Sequence, residues 1–362
     1  MQAKIGIARA LYSYYHYPLF KTFFESLDTP VILSPKTTKA ILKSGIECSP
    51  AEICLPVKTF LGHIAFLKDK VEYLFIPRIV CIKDKRKTRF GCPKAIVLPD
   101  LIKATFAQLP PILELIWDER IETLKNAFSS IGKILSKNNR ESNYAYEQGQ
   151  KAQLKSDQLL KQGYTPDKIF QEESTPSFPT ISLSAKPNQF TLNTNQSNLT
   201  VGIVGHPYLL FDNELSLSII DRLKSLSVSV LTPTMLPPET IRNSAANLDE
   251  LSWIYEQEIL GSAIYFLNNK NIDGVLLVAS FACGTAAVVN EIIYHEVARY
   301  SHVPMLILLL DEHSAETGVM TRLESFVDLI SLSKKSSTLG KEASQKKQHE
   351  YCKSTSKKEK KC

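Results

Sequence analysis

The chain has 362 residues, 44% of them hydrophobic and 22% charged, with a formal net charge of +6. That length accommodates two α/β domains with sizeable cores, and no run approaches the ~18 uninterrupted apolar residues of a membrane-spanning helix. The charge is no nucleic-acid signature. Ten lysines against three glutamates fall between Ser333 and Cys362, leaving residues 1–332 at −1, and the basic Ser/Lys/Gln-rich tail without interleaved aromatics reads as disordered and solubilising.

In chain order, Lys4 to Arg9 reads as a first strand that starts without a secretory leader, which makes the cytoplasm the expected compartment. A helix follows over Pro18 to Leu27, with Phe20, Phe23, Phe24 and Leu27 on one face. Next come a strand over Thr29 to Ser34, a short helix from Thr37 to Ser44 stopped by Gly45, a helix from Pro56 to Lys70 and a strand over Tyr73 to Ile76. This alternation predicts βαβ units in a largely parallel sheet, whose sites form outside the carboxyl ends of its strands. Tyr12, Tyr14, Tyr15, His16 and Tyr17 follow the first strand and so belong to that rim, most as packing and one or two lining a pocket.

From Leu101 to about Gly163 the pattern is helical and amphipathic, with Leu113, Leu115, Ile116 and Ile121, then Leu124, Phe128 and Ile131. Pro166 to Leu199, rich in Ser, Thr, Pro, Asn and Gln, reads as a linker. A second alternating unit begins at Thr200. It has strands at Val201–Val204, Val228–Thr232, Val275–Ala279 and Met305–Leu310, and helices at Glu214–Leu226, Pro238–Ala246, Leu251–Asn268 and Gly318–Ile330. The expected organisation is α/β: two Rossmann-like lobes with mainly parallel sheets at 1–103 and 200–332. A helical segment at 104–165, a linker at 166–199 and a disordered tail at 333–362 complete it. A cleft between two lobes is a common ligand site.

Cysteines sit at 48, 54, 81, 92, 283, 352 and 362, an odd count without a secretion signal, which argues for thiols or metal ligands over a disulfide framework. Cys54, Cys92 and Cys283 each stand where a turn feeds a helix: before Pro56, at Pro93, and before Thr285 to Arg299. A helix N-terminus favours the thiolate, the form that ligates metals. On spacing alone, buried structural cysteine is an equal alternative, because no close CxxC pair exists. Three Cys and a His would serve a structural zinc, although such ligands come from short local knuckles. Ligands spread over both halves fit an iron–sulfur cluster between lobes better. Gly202-Ile203-Val204-Gly205-His206-Pro207 departs from the dinucleotide fingerprint, and the sequence contains no phosphate-binding P-loop. His206 reads as a rim residue or a plain turn histidine. Asp311-Glu312-His313 closes a strand and supplies acid/base groups, a ligand-supporting hydrogen bond, or only a polar loop. Arg322 and Glu324 open a helix as solvated or ion-paired residues.

Several phrases, taken in order, resemble the 2-hydroxyacyl-CoA dehydratase subunits and their acyl-CoA dehydratase activase-related relatives. They are Lys4 to Leu11; Glu52 to Lys58 with Gly62-His63; Phe75-Ile76-Pro77-Arg78; Cys92-Pro93-Lys94 with Leu98-Pro99-Asp100; Gly205-His206-Pro207-Tyr208; Ser280 to Gly284; and Asp311-Glu312-His313 with Thr321 to Phe326. The resemblance implies a [4Fe-4S] cluster on Cys54, Cys92 and Cys283. It places Lys58, His63, Arg78, Lys94, His206, Glu312, His313 and Arg322 at or near the cleft. It implies an acyl-CoA ligand and an actin-fold ATPase activator, or another electron donor, as partner. A dimer is compatible with it; a membrane partner is not expected and a nucleic acid is disfavoured. In the characterised dehydratases one injected electron makes a ketyl radical on the acyl-CoA and water leaves, a lyase reaction. Where that pattern continues Gly-Pro-Asp-Ser after the third cysteine, this chain has Gly284-Thr285-Ala286-Ala287. The lost carboxylate and hydroxyl put catalysis in question more than cluster binding, and a non-catalytic bilobal partner module, with zinc or no metal, is the alternative.

Overall fold

The computed structural model describes residues 3–84, 87–172, 199–248 and 251–334. Most of the expected linker, 173–198, and the tail from 335 onward lie outside the described residues.

The first unit runs β1 (Ile5–Ile7), α1 (Ser13–Glu25), β2 (Val31–Leu33), α2 (Lys39–Glu47), α3 (Leu55–Leu67), β3 (Tyr73–Asp84), β4 (Lys87–Phe90), α4 (Pro93–Ile96), α5 (Leu98–Thr105) and β5 (Ile112–Asp118). Helices α6 (Leu124–Ile134), α7 (Asn139–Lys161) and α8 (Pro166–Glu172) follow. The second unit contains β6 (Leu199–Val204), α9 (Pro207–Leu210), α10 (Ile219–Ser225), β7 (Val228–Leu231), α11 (Pro238–Ser244), α12 (Ile254–Leu267), β8 (Gly274–Ser280), α13 (Gly284–Ile292) and β9 (Met305–Leu310), closed by α14 over 316–334.

The fold is α/β with mainly parallel sheets, as expected. In the first sheet β1 pairs in parallel with β2 and β3, and β5 adds in parallel to the other side of β3. The far end of β3 turns back antiparallel into β4, with Cys81 opposite Phe90. The second sheet runs β7-β6-β8-β9, all parallel. Both sheets therefore share one parallel order, with the chain leaving the first strand to one side and returning on the other. Such reversals leave a crevice at the carboxyl ends of the strands. The segments that leave those ends carry Tyr12 after β1, His206 after β6 and Cys283 after β8.

Three local expectations are revised. Leu113, Leu115, Ile116 and Ile121 do not form a helical face: Leu113, Leu115 and Trp117 are buried while Ile116 between them is exposed, the period-two signature of strand β5. Gly45 does not stop a helix but lies inside α2, where a Cβ would fall on the carbonyl oxygen of Lys58 in α3. Gly62 returns the arrangement, since its Cβ would fall on the carbonyl oxygen of Ile41; the two glycines let α2 and α3 pack backbone to backbone. Helix α1 begins at Ser13, five residues before Pro18. The Pro18 ring removes the hydrogen bond that the Tyr14 carbonyl would receive, and burial of Tyr14, Tyr17 and Leu19 keeps the turn helical regardless.

The core of the first sheet is aromatic. Phe20 meets Phe75 at 4.9 Å between ring centres, and Phe23 meets Phe128 at 4.6 Å. The buried apolar network continues without a break into the second unit through Leu209, Leu215 and Leu276, while a second cluster fills the other face of the second sheet.

Candidate functional site

Cys54, Cys92 and Cys283 are the N-cap residues of α3, α4 and α13, each with extended backbone and none capping its own helix through its side chain. Proline follows at the first or second helical position of α3 and α4, where a missing N–H costs nothing. Gly91 has a steric reason: a Cβ there would strike the Ile79 carbonyl, so glycine lets the Cys92 turn lie directly against β3. Ala282 takes a left-handed φ of 61° just before Cys283, a conformation costly to a non-glycine residue.

The three thiols line one small pocket of about 30 Å³, with Tyr12, His206 and Glu256. All three are free of disulfide bonds. The helix-start effect does not prevail at two of them. Burial pushes the Cys54 thiol up to about 12, with the charges of Cys283 and Cys92 adding to it, although the Val57 N–H opposes. Burial likewise raises Cys92 against the N–H groups of Ala95 and Lys94. Thiols raised by desolvation and by one another deprotonate when a positive centre arrives between them.

Lys94 pins this arrangement. Its Nζ donates to the Ala282 carbonyl at 2.8 Å and to the Glu52 carbonyl at 3.1 Å, so the residue after Cys92-Pro93 holds the loops bearing the other two cysteines. The Leu55 N–H donates to Ser280 Oγ at 3.2 Å, a further link between the units. Lys58, 2% exposed, donates to the Ala51 carbonyl at 3.0 Å and forms an ion pair with Glu312 across the interface. Burial alone would raise Glu312, but the Lys58 hydrogen bond and charge hold its carboxyl below the usual range.

Polar groups also return beside Cys283. Thr285 Oγ1 lies 3.6 Å from the Cys283 sulfur and donates to Glu256. Glu256 comes from the start of α12 and is 2% exposed. Burial works to raise its pKa, yet hydrogen bonds from His206 and Thr285 bring it below the ordinary value. The ring of His206 stacks on Tyr208 at 4.8 Å, its Nδ1 meets Tyr15 Oη at 3.1 Å, and its Nε2 lies 3.6 Å from Glu256. The carboxylate missing from Gly284-Thr285-Ala286-Ala287 is thus supplied by another helix, and the Thr285 hydroxyl of that same stretch stands where a serine hydroxyl was expected. The charge in α12 was legible: from Glu256 to Leu267 the helix is buried nearly all round, and a carboxylate on such a helix must be paired.

Other expected residues stand apart from the cysteine pocket. His63 is fully buried in α3, with Nε2 3.0 Å from Thr37 Oγ1; Thr37 bonds onward to Asp212 of the second unit. Arg78 binds Glu114 at 2.5 Å, the Ile96 carbonyl at 2.8 Å and Asp100 at 2.9 Å, tying α4 and α5 to the sheet. His313 is exposed on the turn after β9, its N–H bound to Asp311, and Arg322 is exposed on α14. The rim aromatics divide: Tyr12 lines the cysteine pocket, Tyr14 and Tyr15 line a larger cavity, and His16 packs on Trp117.

Among the described residues, no group of three or more His, Cys, Asp or Glu side chains is placed to hold a metal ion. A single ion such as zinc needs its ligands at about 2.0–2.3 Å. A cubane spreads its thiolates over a wider shell than one ion does. One buried polar atom of this pocket, Tyr12 Oη, has no hydrogen-bond partner. Such an orphan calls for a polar occupant, and three free thiols are the donor set a cluster uses. The donors therefore fit.

No curated protein matches the chain. A family model does, over residues 4–236, which include Cys54, Cys92 and His206 but end before Glu256 and Cys283. On that match the chain belongs to the family described as CoA enzyme activase uncharacterised domain (DUF2229).

Proposed function

We propose that the chain is a [4Fe-4S] protein of the CoA enzyme activase-related family, working in low-potential electron transfer or in radical dehydration of an acyl-CoA. The observation that carries this reading is the convergence of Cys54, Cys92 and Cys283, from N-caps in both units, on one pocket whose wall also holds the unsatisfied hydroxyl of Tyr12. When bound, the cluster would supply single electrons at low potential and an iron with an open position. The protein's part is positional. Lys94 holds the two neighbouring loops, Thr285 beside the Cys283 sulfur donates to Glu256, and Glu256 with His206 provides a carboxylate and an imidazole on the pocket wall.

An actin-fold ATPase activator or another donor would approach at Phe281, which is 61% exposed two residues before Cys283. Among the described residues no helix is long and apolar enough to cross a membrane, consistent with the cytoplasmic setting of this reading. The departure at Gly284-Thr285-Ala286-Ala287 favours a second reading, a bilobal partner module that carries a cluster without turning over substrate.

Anaerobic reconstitution with iron and sulfide tests the proposal. The expected result is about four irons and four sulfides per chain with broad visible absorbance, and a loss of iron when Cys54, Cys92 or Cys283 is changed to Ser. Iron-free protein after reconstitution, or unchanged iron in all three variants, would refute it. Acyl-CoA binding to the reconstituted protein then separates the enzyme from the partner module.

A further inference from the structure

A cavity of about 380 Å³ lies apart from the cysteines and is unused by the reading above. Its walls come from α1, the β3–β4 hairpin, the end of α7 and, in the second unit, α11 and the start of α12. The hairpin is pinned across it. The Phe90 N–H donates to the Ser252 carbonyl at 2.6 Å, and buried Arg89 donates to the Leu251 carbonyl at 2.5 Å. The cavity is therefore preformed, and its size lies within the range of ~300–1,000 Å³ typical of small-molecule sites.

The lining has three kinds of surface. Leu160, Pro207, Leu236, Ile241 and Ile254 make much of it apolar. Lys83 and Lys161 are exposed and Arg242 partly exposed, so these cations mark the mouth. Asp157 and Glu258 contribute two carboxyl groups; Asp157 accepts from Gln153 at 2.8 Å, but Glu258 has no hydrogen-bond or ion-pair partner among the described residues. Burial pushes Glu258 up to about 7, with His206 opposing and the charge of Asp157 adding to the rise. Glu258 is half-buried on the cavity wall with no donor of its own, and an apolar cavity with a few convergent polar groups is where a small ligand supplies one.

We propose that this cavity binds an amphipathic small molecule with an apolar body, an anionic end at Lys83, Lys161 and Arg242, and a hydroxyl or ammonium end that donates to Glu258. The site stands independently of the cysteine pocket and needs no metal.

Isothermal titration of the full chain, without reconstitution, with octanoate, 8-hydroxyoctanoate and 8-aminooctanoate tests it. The two donor-ended acids should bind about tenfold more tightly than octanoate, a difference of ~1.4 kcal/mol. Glu258→Leu should erase that preference while octanoate still binds. The double variant Lys161→Glu, Arg242→Glu should weaken all three about tenfold or more. If Glu258→Leu lowers the melting temperature sharply, Glu258→Gln carries the same comparison, with the preference for 8-aminooctanoate lost first. Absence of binding by every probe, or a preference that survives both Glu258 variants, would overturn the proposal.

Discussion

Lys58 and Glu312 show how much one pair of side chains does here. Lys58 lies within the first turns of the Cys54 helix and Glu312 in the turn after β9, so their contact spans both units. Glu312→Gln leaves a buried ammonium without its counter-charge, and denaturant melts should show a loss of about 3 kcal/mol. A loss within error of zero would mean that the contact is merely tolerated. Thr285 permits a finer test on the reconstituted protein. Thr285→Val removes the hydroxyl that donates to Glu256 beside the Cys283 sulfur, and since negative charge left uncompensated near a cluster lowers its potential, potentiometry should find a more negative midpoint with iron content unchanged. His63 gives the pH dependence. Burial, then the charge of Arg9, lowers its pKa from 6.5 to about 3. Below pH 6.5 the unfolded chain takes up a proton that the folded chain refuses, so this histidine's share of stability falls as pH drops from 6.5 towards 3. Between pH 6.5 and 5 that share is on the order of 1–2 kcal/mol, and His63→Gln should flatten the acid limb of a stability–pH curve by a comparable amount.

At the scale of elements, the crossing of α2 and α3 decides where Cys54 points. Because a Cβ on Gly45 would collide with the backbone carbonyl of Lys58, Gly45→Ala must push the helices apart. The expected cost is about 1–3 kcal/mol, read by thermal melting, with a parallel fall in iron uptake because the α3 N-cap moves. The Phe20, Phe23, Phe24 and Leu27 face and the Leu124, Phe128 and Ile131 face were legible because helical spacing survives burial on one side. Strand β5 was not, since its Leu113, Leu115 and Ile116 also satisfy a helical template over so short a window, and only pairing with β3 distinguishes the two. Gly45 misled for a related reason: glycine stops helices and also admits close helix packing, and the difference lies in a neighbour thirteen residues away, Lys58.

At the scale of the whole molecule, the buried apolar network joins both units and the polar links Lys58–Glu312, Lys94–Ala282 and Thr37–Asp212 cross between them. Units joined through a common core unfold together, so calorimetry should show one transition for the apo chain; two separated transitions would mean that the junction is weak. The sequence by itself determined the α/β alternation, the parallel sheets and the three cysteines at helix starts, because local periodicity and turn chemistry are written in neighbouring residues. Only the tertiary structure decided that the cysteines share a pocket and that Lys94 joins their loops. It also showed that Glu256 supplies a carboxylate beside Cys283, with the Thr285 hydroxyl donating to it, and that His63, Arg78, His313 and Arg322 belong elsewhere. Those outcomes depend on which residues, distant in the chain, the two sheets bring face to face, and no local pattern encodes that distance.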